Sequence, residues 1–280
     1  VFVQVVILGS GSPIPAPDRA GPSTLVRTSI GDLLFDAGRG VLLRAAGVLT
    51  GAPTFKAVFL THLHSDHTTD LNDVITTRWA MSFEPTPLSV FGPVGTATLV
   101  AATETMLQQD IGYRLAHHDN LNWRPDTEVI EVTDGIVFEE GDVRVTAAPT
   151  DHAPVHPTVA FRVDDGDRSV VLAGDTVPCE GLDRLAAGAD ALVHTVIRRD
   201  QIEALGIPRL LDVIDYHSSV PQAGATARRA GVATLVLTHM VPPVQPGGEH
   251  EWIEQARSTF GGEVVLAEDL TTIELAPSGQ

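Results

Sequence analysis

The residues with most chemistry to offer lie in THLHSDHTTD, residues 61–70, directly after the apolar run AVFL. His62 and His64 are one residue apart, and Asp66 and His67 follow at once. Two imidazoles at i and i+2 on a loop can face one cation, while the adjacent Asp and His turn toward a second. Mixed nitrogen and carboxylate ligation suits zinc, with manganese or iron as alternatives. The competing reading is a polar loop that merely caps a strand, and this density of ligand-type residues makes it a poor one. Further candidates stand elsewhere in the chain: His152 just past VRVTAA with His156 soon after it, Asp175 in LAGDTVP, and His239 in VLTHMVPP. A lone histidine at a strand end is an ordinary hydrogen-bonded residue. As a set, His152, Asp175 and His239 share one feature: each ends an apolar, strand-like run.

The elements that must position them alternate β-rich runs with helical spacing, which points to an α/β fold. VFVQVVIL (1–8), TLVRT, DLLFDAG, KAVFL (56–60) and SVFGP (89–93) read as strands. Residues 39–48, 70–81 and 95–111 read as helices, while Gly112 to Asp126 reads as the least regular stretch. VIEVT, VFEEGDVRVTAAP and TVAFRVDDGDRSVVLAGD then read as short strands with tight turns. A helix near 180–187, the strand ALVHTV, a loose segment at 198–216, the helix VPQAGATARRAG and the strand ATLVLTH follow. Two echoes stand out: AVFLTH with TLVLTH, and LLFDAG with VVLAGD. They suggest two related halves with a site at the strand ends.

Composition narrows the class. With 43% hydrophobic residues, the 280-residue chain can bury a large core. Acidic residues outnumber basic ones 36 to 18, a formal charge of −18. Such a field repels polyanions and counts against nucleic acid as a partner. The single cysteine, Cys179, excludes an internal disulfide framework. No apolar run approaches the ~20 residues that span a membrane, and no basic-then-apolar leader opens the chain. The expectation is a cytoplasmic protein, with Val1 in place of Met leaving open a trimmed start. GSGSP opens no helix of a βαβ unit, so it is no dinucleotide fingerprint.

HLHSDH, His152, the GD of Asp175 and the final His239 together resemble the metallo-β-lactamase superfamily. More narrowly, LGSGSPIPAPDRAGPS, LLFDAGRG, AGDTVPCEGL and YHSS resemble its ribonuclease Z branch, which also contains phosphodiesterase-like and arylsulfatase-like relatives. The likeness runs over about residues 4 to 275. It implies an αββα four-layer sandwich with pseudo-twofold halves, as one domain over 1–280. It also implies one divalent ion on His62, His64 and His152, a second on Asp66, His67 and His239, and Asp175 bridging both. His156 is then a pocket residue. Two such ions about 3.5–4 Å apart lower the pKa of a bridging water and stabilise charge on a phosphoryl group, so that hydroxide attacks phosphorus. Asp66 would also orient the nucleophile. His217, in YHSS, matches the histidine that this branch places over the leaving group, where it would donate a proton or bind substrate.

Two features depart from the branch. Ribonuclease Z proteins carry His-Glu-Ala-Thr on the strand after the GD motif, whereas here His194 is followed by Thr195. The partner carboxylate for His217 is thus missing. The tRNA-gripping arm is expected between His152 and Asp175, but TVAFRV, DDGDR and SVVLAGD fill that interval with one hairpin. Together with the acidic charge, this disfavours transfer RNA. The longer segment, about 81–147, becomes a candidate lid or interface, and Arg78 and Arg114 candidate contacts for an anionic substrate. The expected function is a binuclear metal hydrolase acting on a small or medium phosphodiester. The alternatives are tRNA 3′-end processing, an arylsulfatase-like or lactonase-like ester hydrolase, and a metal-binding protein without turnover. A homodimer is implied by the resemblance alone.

Overall fold

The computed structural model describes residues 3–275. Val1 and Phe2, taken above into the first strand, lie outside the described residues. Two seven-stranded sheets face each other. In spatial order the first holds β14 (Thr271–Leu275), β1 (Val3–Gly9), β2 (Ser23–Thr28), β3 (Gly31–Phe35), β4 (Phe55–Phe59), β5 (Leu88–Gly92) and β6 (Thr127–Glu131). The second holds β13 (Glu263–Leu266), β12 (Thr234–Val241), β11 (Ala191–Ile197), β10 (Arg168–Leu172), β9 (Val159–Asp165), β8 (Val143–Pro149) and β7 (Gly135–Glu140). Against the first sheet pack α1 (Val41–Gly47), α3 (Leu71–Met81) and part of α4 (Thr96–His117). Against the second pack α5 (Glu180–Ala186), α8 (Val220–Ala230) and α9 (Glu249–Arg257). The one-turn α2 (Ser65–Thr68) lies in the metal loop, and α6 (Arg199–Leu205) and α7 (Pro208–Leu211) follow β11. The result is the four-layer α/β sandwich.

Unbroken apolar runs make sense in this arrangement, because a strand buried on both faces needs no polar alternation. In β1, Val5 and Ile7 enter the core between the sheets, while Val6 and Leu8 enter the layer beneath the helices. Phe59 sits at the centre of the inter-sheet core, with Phe35 and Phe91 each stacked on it at 4.8 Å. Fully burying one such ring contributes roughly 2–3 kcal/mol. Helix α8 shows how a boundary is written. Ser219 donates both N–H and Oγ–H to Gln222 Oε1, a proline follows in the first turn, and Gly231 ends the helix at φ 72°.

The halves match in topology. In each sheet three antiparallel pairings precede three parallel ones: β14–β1–β2–β3 then β3–β4–β5–β6, and β7–β8–β9–β10 then β10–β11–β12–β13. β3 and β10 are therefore equivalent, and the echo of LLFDAG with VVLAGD falls on matching strands. The other echo is displaced by one strand, since β4 corresponds to β11, whereas TLVLTH lies on β12. A short apolar run ending in Thr-His carries no information about its neighbours.

Three stretches differ from the sequence reading. Helix α4 continues through Gly112 to His117, because Ile111 and Leu115 pack with Trp79 and Leu121 and offset the ~1 kcal/mol that a mid-helix glycine costs. Residues 198–216 hold α6, α7 and a 3₁₀ turn at Asp212–Asp215, anchored by Ile202 against Ile197 and Val241. The segment 81–147 supplies β5, α4, β6, β7 and most of β8. Its strands are paired within both sheets, so most of it is scaffold.

Candidate metal centre

Strands β3, β4, β8, β10 and β12 deliver their carboxyl ends to one edge of the sandwich. Asp36 follows β3, the HLHSDH loop follows β4, His152 follows β8 and Asp175 follows β10. His239 lies within β12, at an irregularity where the register against β11 shifts between Thr195 and Ile197. Its backbone adopts φ 52°, outside the strand region, as a bulge that re-aims a side chain requires. Two glycines permit the close approach. A Cβ at Gly38 would come within 2.6 Å of the Asp66 carbonyl oxygen, and one at Gly174 within 2.8 Å of the Thr61 Cβ.

The seven expected ligand residues converge. His62, His64, His152 and Asp175 form one group whose ligand atoms lie within 4.8 Å of one another; Asp66, His67 and His239 form a second. In the first, His62 Nε2 and His152 Nε2 stand 3.0 and 3.4 Å from His64 Nδ1. In the second, His239 Nε2 and His67 Nε2 stand 3.3 and 3.6 Å from Asp66 Oδ2. Asp175 Oδ2 lies between them, 3.7 Å from His62 Nε2 and 3.5 Å from both His67 Nε2 and His239 Nε2.

The remote ring atoms set the tautomers. A carbonyl or carboxylate oxygen only accepts, so the nitrogen facing it carries the proton. His152 Nδ1 donates to Tyr216 O at 2.7 Å, and His67 Nδ1 donates to Asp36 Oδ2 at 2.8 Å. The Thr61 hydroxyl donates to Asp36 and accepts from His62 Nδ1 at 3.0 Å. In all three rings Nε2 is the atom left to face the cluster, where a cation would take it.

Charge points the same way. Burial pushes His62 well below the usual histidine range, holds His152 down at about 4 and lowers His64, so these rings are neutral ligands. Burial also opposes charge on His67 and His239, yet Asp175 overcomes it in both, with help from Asp36 and Asp66 respectively, and both are raised. Burial works against ionised Asp175, but His239 and His67 hold it well below the carboxylate range. A cluster of carboxylates that draws protons onto its histidines will exchange those protons for a divalent cation. Moreover, His67 Nε2 and Asp175 Oδ1 are buried without a hydrogen-bond partner. Orphaned buried polar atoms of this kind cost about 1–3 kcal/mol each unless something fills them, so the donor set fits divalent metal.

The remaining candidates divide. His217 joins the site: its Nδ1 donates to Val213 O at 3.0 Å and its Nε2 lies 3.2 Å from Asp175 Oδ2. His194 is fully buried in β11, with Nδ1 donating to Thr195 O, and burial lowers it to about 4. Thr195 donates its hydroxyl to Gly174 O. His156 is exposed and belongs to none of the ligand groups among the described residues. Arg78 does not reach the site. Its guanidinium is spent on the carbonyls of Ala52, Pro53, Phe55, Thr86 and Pro87, at the amino ends of β4 and β5. Arg114, late in α4, pairs with Asp110 at 2.7 Å and lies beside Ala80, Ser82 and Phe83 at the end of α3. Asp36 was the residue missed. Its signal was present in LLFDAG, an aspartate at the mouth of a buried strand matching Asp175.

Comparison with known proteins agrees with the geometry. The family described as the Beta-lactamase superfamily domain matches residues 32–240. A protein named Ribonuclease Z from Mycobacterium avium is 57% identical over 280 residues, covering 99% of this chain and 100% of its own. Its namesake from Mycolicibacterium gilvum is 54% identical, over 99% and 97%. The chain belongs to the metallo-β-lactamase superfamily, in its ribonuclease Z-like branch. As a member it is a metal-dependent hydrolase. Among solved structures, the metallo-β-lactamase fold protein YhfI from Bacillus subtilis shares the fold at a TM-score of 0.75 and 24% identity, over 98% of this chain and 100% of that one. Human tRNase Z, short form, does so at 0.71 and 24%, over 96% and 98%.

These relatives overturn the expectation that transfer RNA is disfavoured. The M. avium protein aligns over its whole length with this chain and still carries the ribonuclease name, so a missing arm does not separate the two. Net charge fails as an argument because it averages over a surface, whereas recognition depends on the local field. Thr195 does not leave His217 loose, since Val213 O holds its ring. Among the described residues no helix is long and apolar enough to cross a membrane.

Proposed function

We propose that this protein is a two-metal phosphodiesterase acting on RNA, an endoribonuclease that trims the 3′ end of precursor transfer RNA. The observation that carries this reading is full-length identity of 57% to a protein named Ribonuclease Z, joined to a convergent set of five histidines and two aspartates. In this reading His62, His64 and His152 hold one ion, Asp66, His67 and His239 the other, and Asp175 serves both. Zinc suits the nitrogen-rich set, with manganese or iron as alternatives. Bound there, two divalent ions would supply an activated water and neutralise charge on the phosphoryl group.

The chain's own residues do the rest. Asp36 and the Tyr216 carbonyl fix the rings of His67 and His152 so that each Nε2 faces inward. Asp66 orients the attacking group on one side. His217, held through Nδ1 by Val213 O, presents Nε2 toward the site and, when that atom is protonated, delivers the proton to the leaving oxygen.

The test is a precursor tRNA transcript carrying a 3′ trailer, incubated with wild type and His64→Ala in zinc or manganese. A single cut at the acceptor end by wild type only is expected, with about two ions per chain by metal analysis. Turnover of bis(p-nitrophenyl) phosphate without any RNA cleavage would reduce the reading to a small-substrate phosphodiesterase. No turnover of either would end it.

A further inference from the structure

The arginines are mostly neutralised, as expected with two acidic residues for each basic one. Arg39 is different. It follows Gly38 in LLFDAGRG, where the chain leaves β3 for the metal-bearing edge. Its guanidinium donates one hydrogen bond, from Nη2 to Ser12 O at 3.2 Å, and forms no ion pair with any carboxylate among the described residues. A guanidinium has five N–H donors, so most of its hydrogen-bonding capacity is open to solvent or ligand. The side chain is half-buried, which limits its freedom.

Its surroundings tie it to the centre from two sides. On one, Ala37 N donates to His67 O at 2.7 Å, and Gly38 packs on the Asp66 carbonyl. On the other, Ser12 is two residues from Ser10, whose carbonyl accepts the His239 N–H at 3.1 Å. Arg39 thus reaches from the turn that backs the Asp66–His67 ligand loop to the loop that supports His239. Neighbouring cations are committed elsewhere: Arg44 to Asp269 at 2.7 Å, and Arg19 to Ser10 Oγ and Ala267 O.

We propose that Arg39 binds a phosphate of the substrate strand next to the scissile one. The planar fork of a guanidinium matches phosphate oxygens, and a cation left unpaired at the rim offers an acidic protein local attraction for a polyanion. The proposal rests on the ribonuclease reading above, because only a substrate with flanking phosphates can use the contact.

The experiment compares wild type, Arg39→Ala, Arg39→Lys and the remote surface control Arg257→Ala, each with metal content measured. Two substrates are used: a precursor tRNA transcript, and bis(p-nitrophenyl) phosphate, which has no flanking phosphate. For Arg39→Ala, KM for RNA should rise about tenfold or more, the scale of one charge-assisted bond. The slope of log(kcat/KM) against log salt should become shallower by about 0.7–0.9. Turnover of the small diester and metal content should stay level, and Arg39→Lys should restore the salt slope. Equal losses on both substrates, or an unchanged salt slope, would overturn the proposal and make Arg39 a support for the Ser12 loop. If wild type cleaves no RNA, the ribonuclease reading falls and takes this contact with it; if wild type cleaves and Arg39→Ala matches Arg257→Ala, only Arg39 falls.

Discussion

Replacing Asp36 with Asn tests whether the metal centre depends on a residue that touches no metal. Asp36 is 6% exposed and adopts φ 58°, a left-handed conformation that Asn tolerates as well as Asp, so the backbone should survive. The carboxylate accepts from His67 Nδ1 at 2.8 Å, from Thr61 N at 2.8 Å and from Thr61 Oγ1 at 2.9 Å. An amide keeps one acceptor oxygen. If that oxygen serves Thr61 N, the amide NH₂ turns toward His67 Nδ1–H, and two donors face each other. His67 then loses the partner that holds its tautomer and its orientation. Loss of such an outer partner typically lowers metal affinity 10–100-fold, or about 1.4–2.7 kcal/mol. The effect should fall mainly on the ion facing His67 and reach the other more weakly, through Thr61 and His62 Nδ1. Stepwise zinc titration against a chromogenic chelator would resolve two affinities, with circular dichroism as a check on folding. Two unchanged binding steps in a folded Asp36→Asn protein would refute the reasoning.

Three further outcomes follow from the same geometry. His217→Ala should slow aryl phosphodiesters with poor leaving groups by about 10²–10⁴-fold and spare those with good ones, the signature of proton donation; equal losses across a leaving-group series would make His217 a binding residue. His194 is buried and neutral, with burial holding it near 4. As pH falls below about 6.5, the unfolded chain therefore takes a proton that the folded one refuses. Wild type should lose about 3 kcal/mol from this residue between pH 6.5 and 4, and urea midpoints of His194→Asn should fall less steeply over that window; parallel curves would count against it. Arg78→Met should destabilise the fold by about 3 kcal/mol, by orphaning carbonyls that the guanidinium satisfies. It should leave kcat/KM of the folded fraction unaltered, whereas a specific rise in KM would return Arg78 to the substrate.

What could be read from the sequence was local. HLHSDH declares ligand chemistry because residue type and spacing within one loop suffice to aim several side chains at a shared point. Apolar runs ending in Asp175 and His239 declare strand ends, since the periodicity of buried strands is itself a short-range pattern. Function at the level of a metal-dependent hydrolase followed from those residues and the resemblance they carry. Inference from averages and absences fared worse: the charge of −18, the short interval between His152 and Asp175, and Thr195 all argued against transfer RNA, and full-length relatives overruled them.

The tertiary structure alone decided which side chains meet. Asp36 and His67 lie 31 positions apart, and only the parallel pairing of β3 with β4 brings carboxylate and ring to 2.8 Å. His239 enters the cluster through a register shift between β11 and β12, which no run of Thr-Leu-Val-Leu announces. The same long-range packing buried Arg78 among carbonyls at the far end of the strands and left Arg39 unpaired at the near one. Composition treats those two arginines alike, because a sequence states what a side chain can bind, and only the neighbours that folding supplies determine what remains for it to bind.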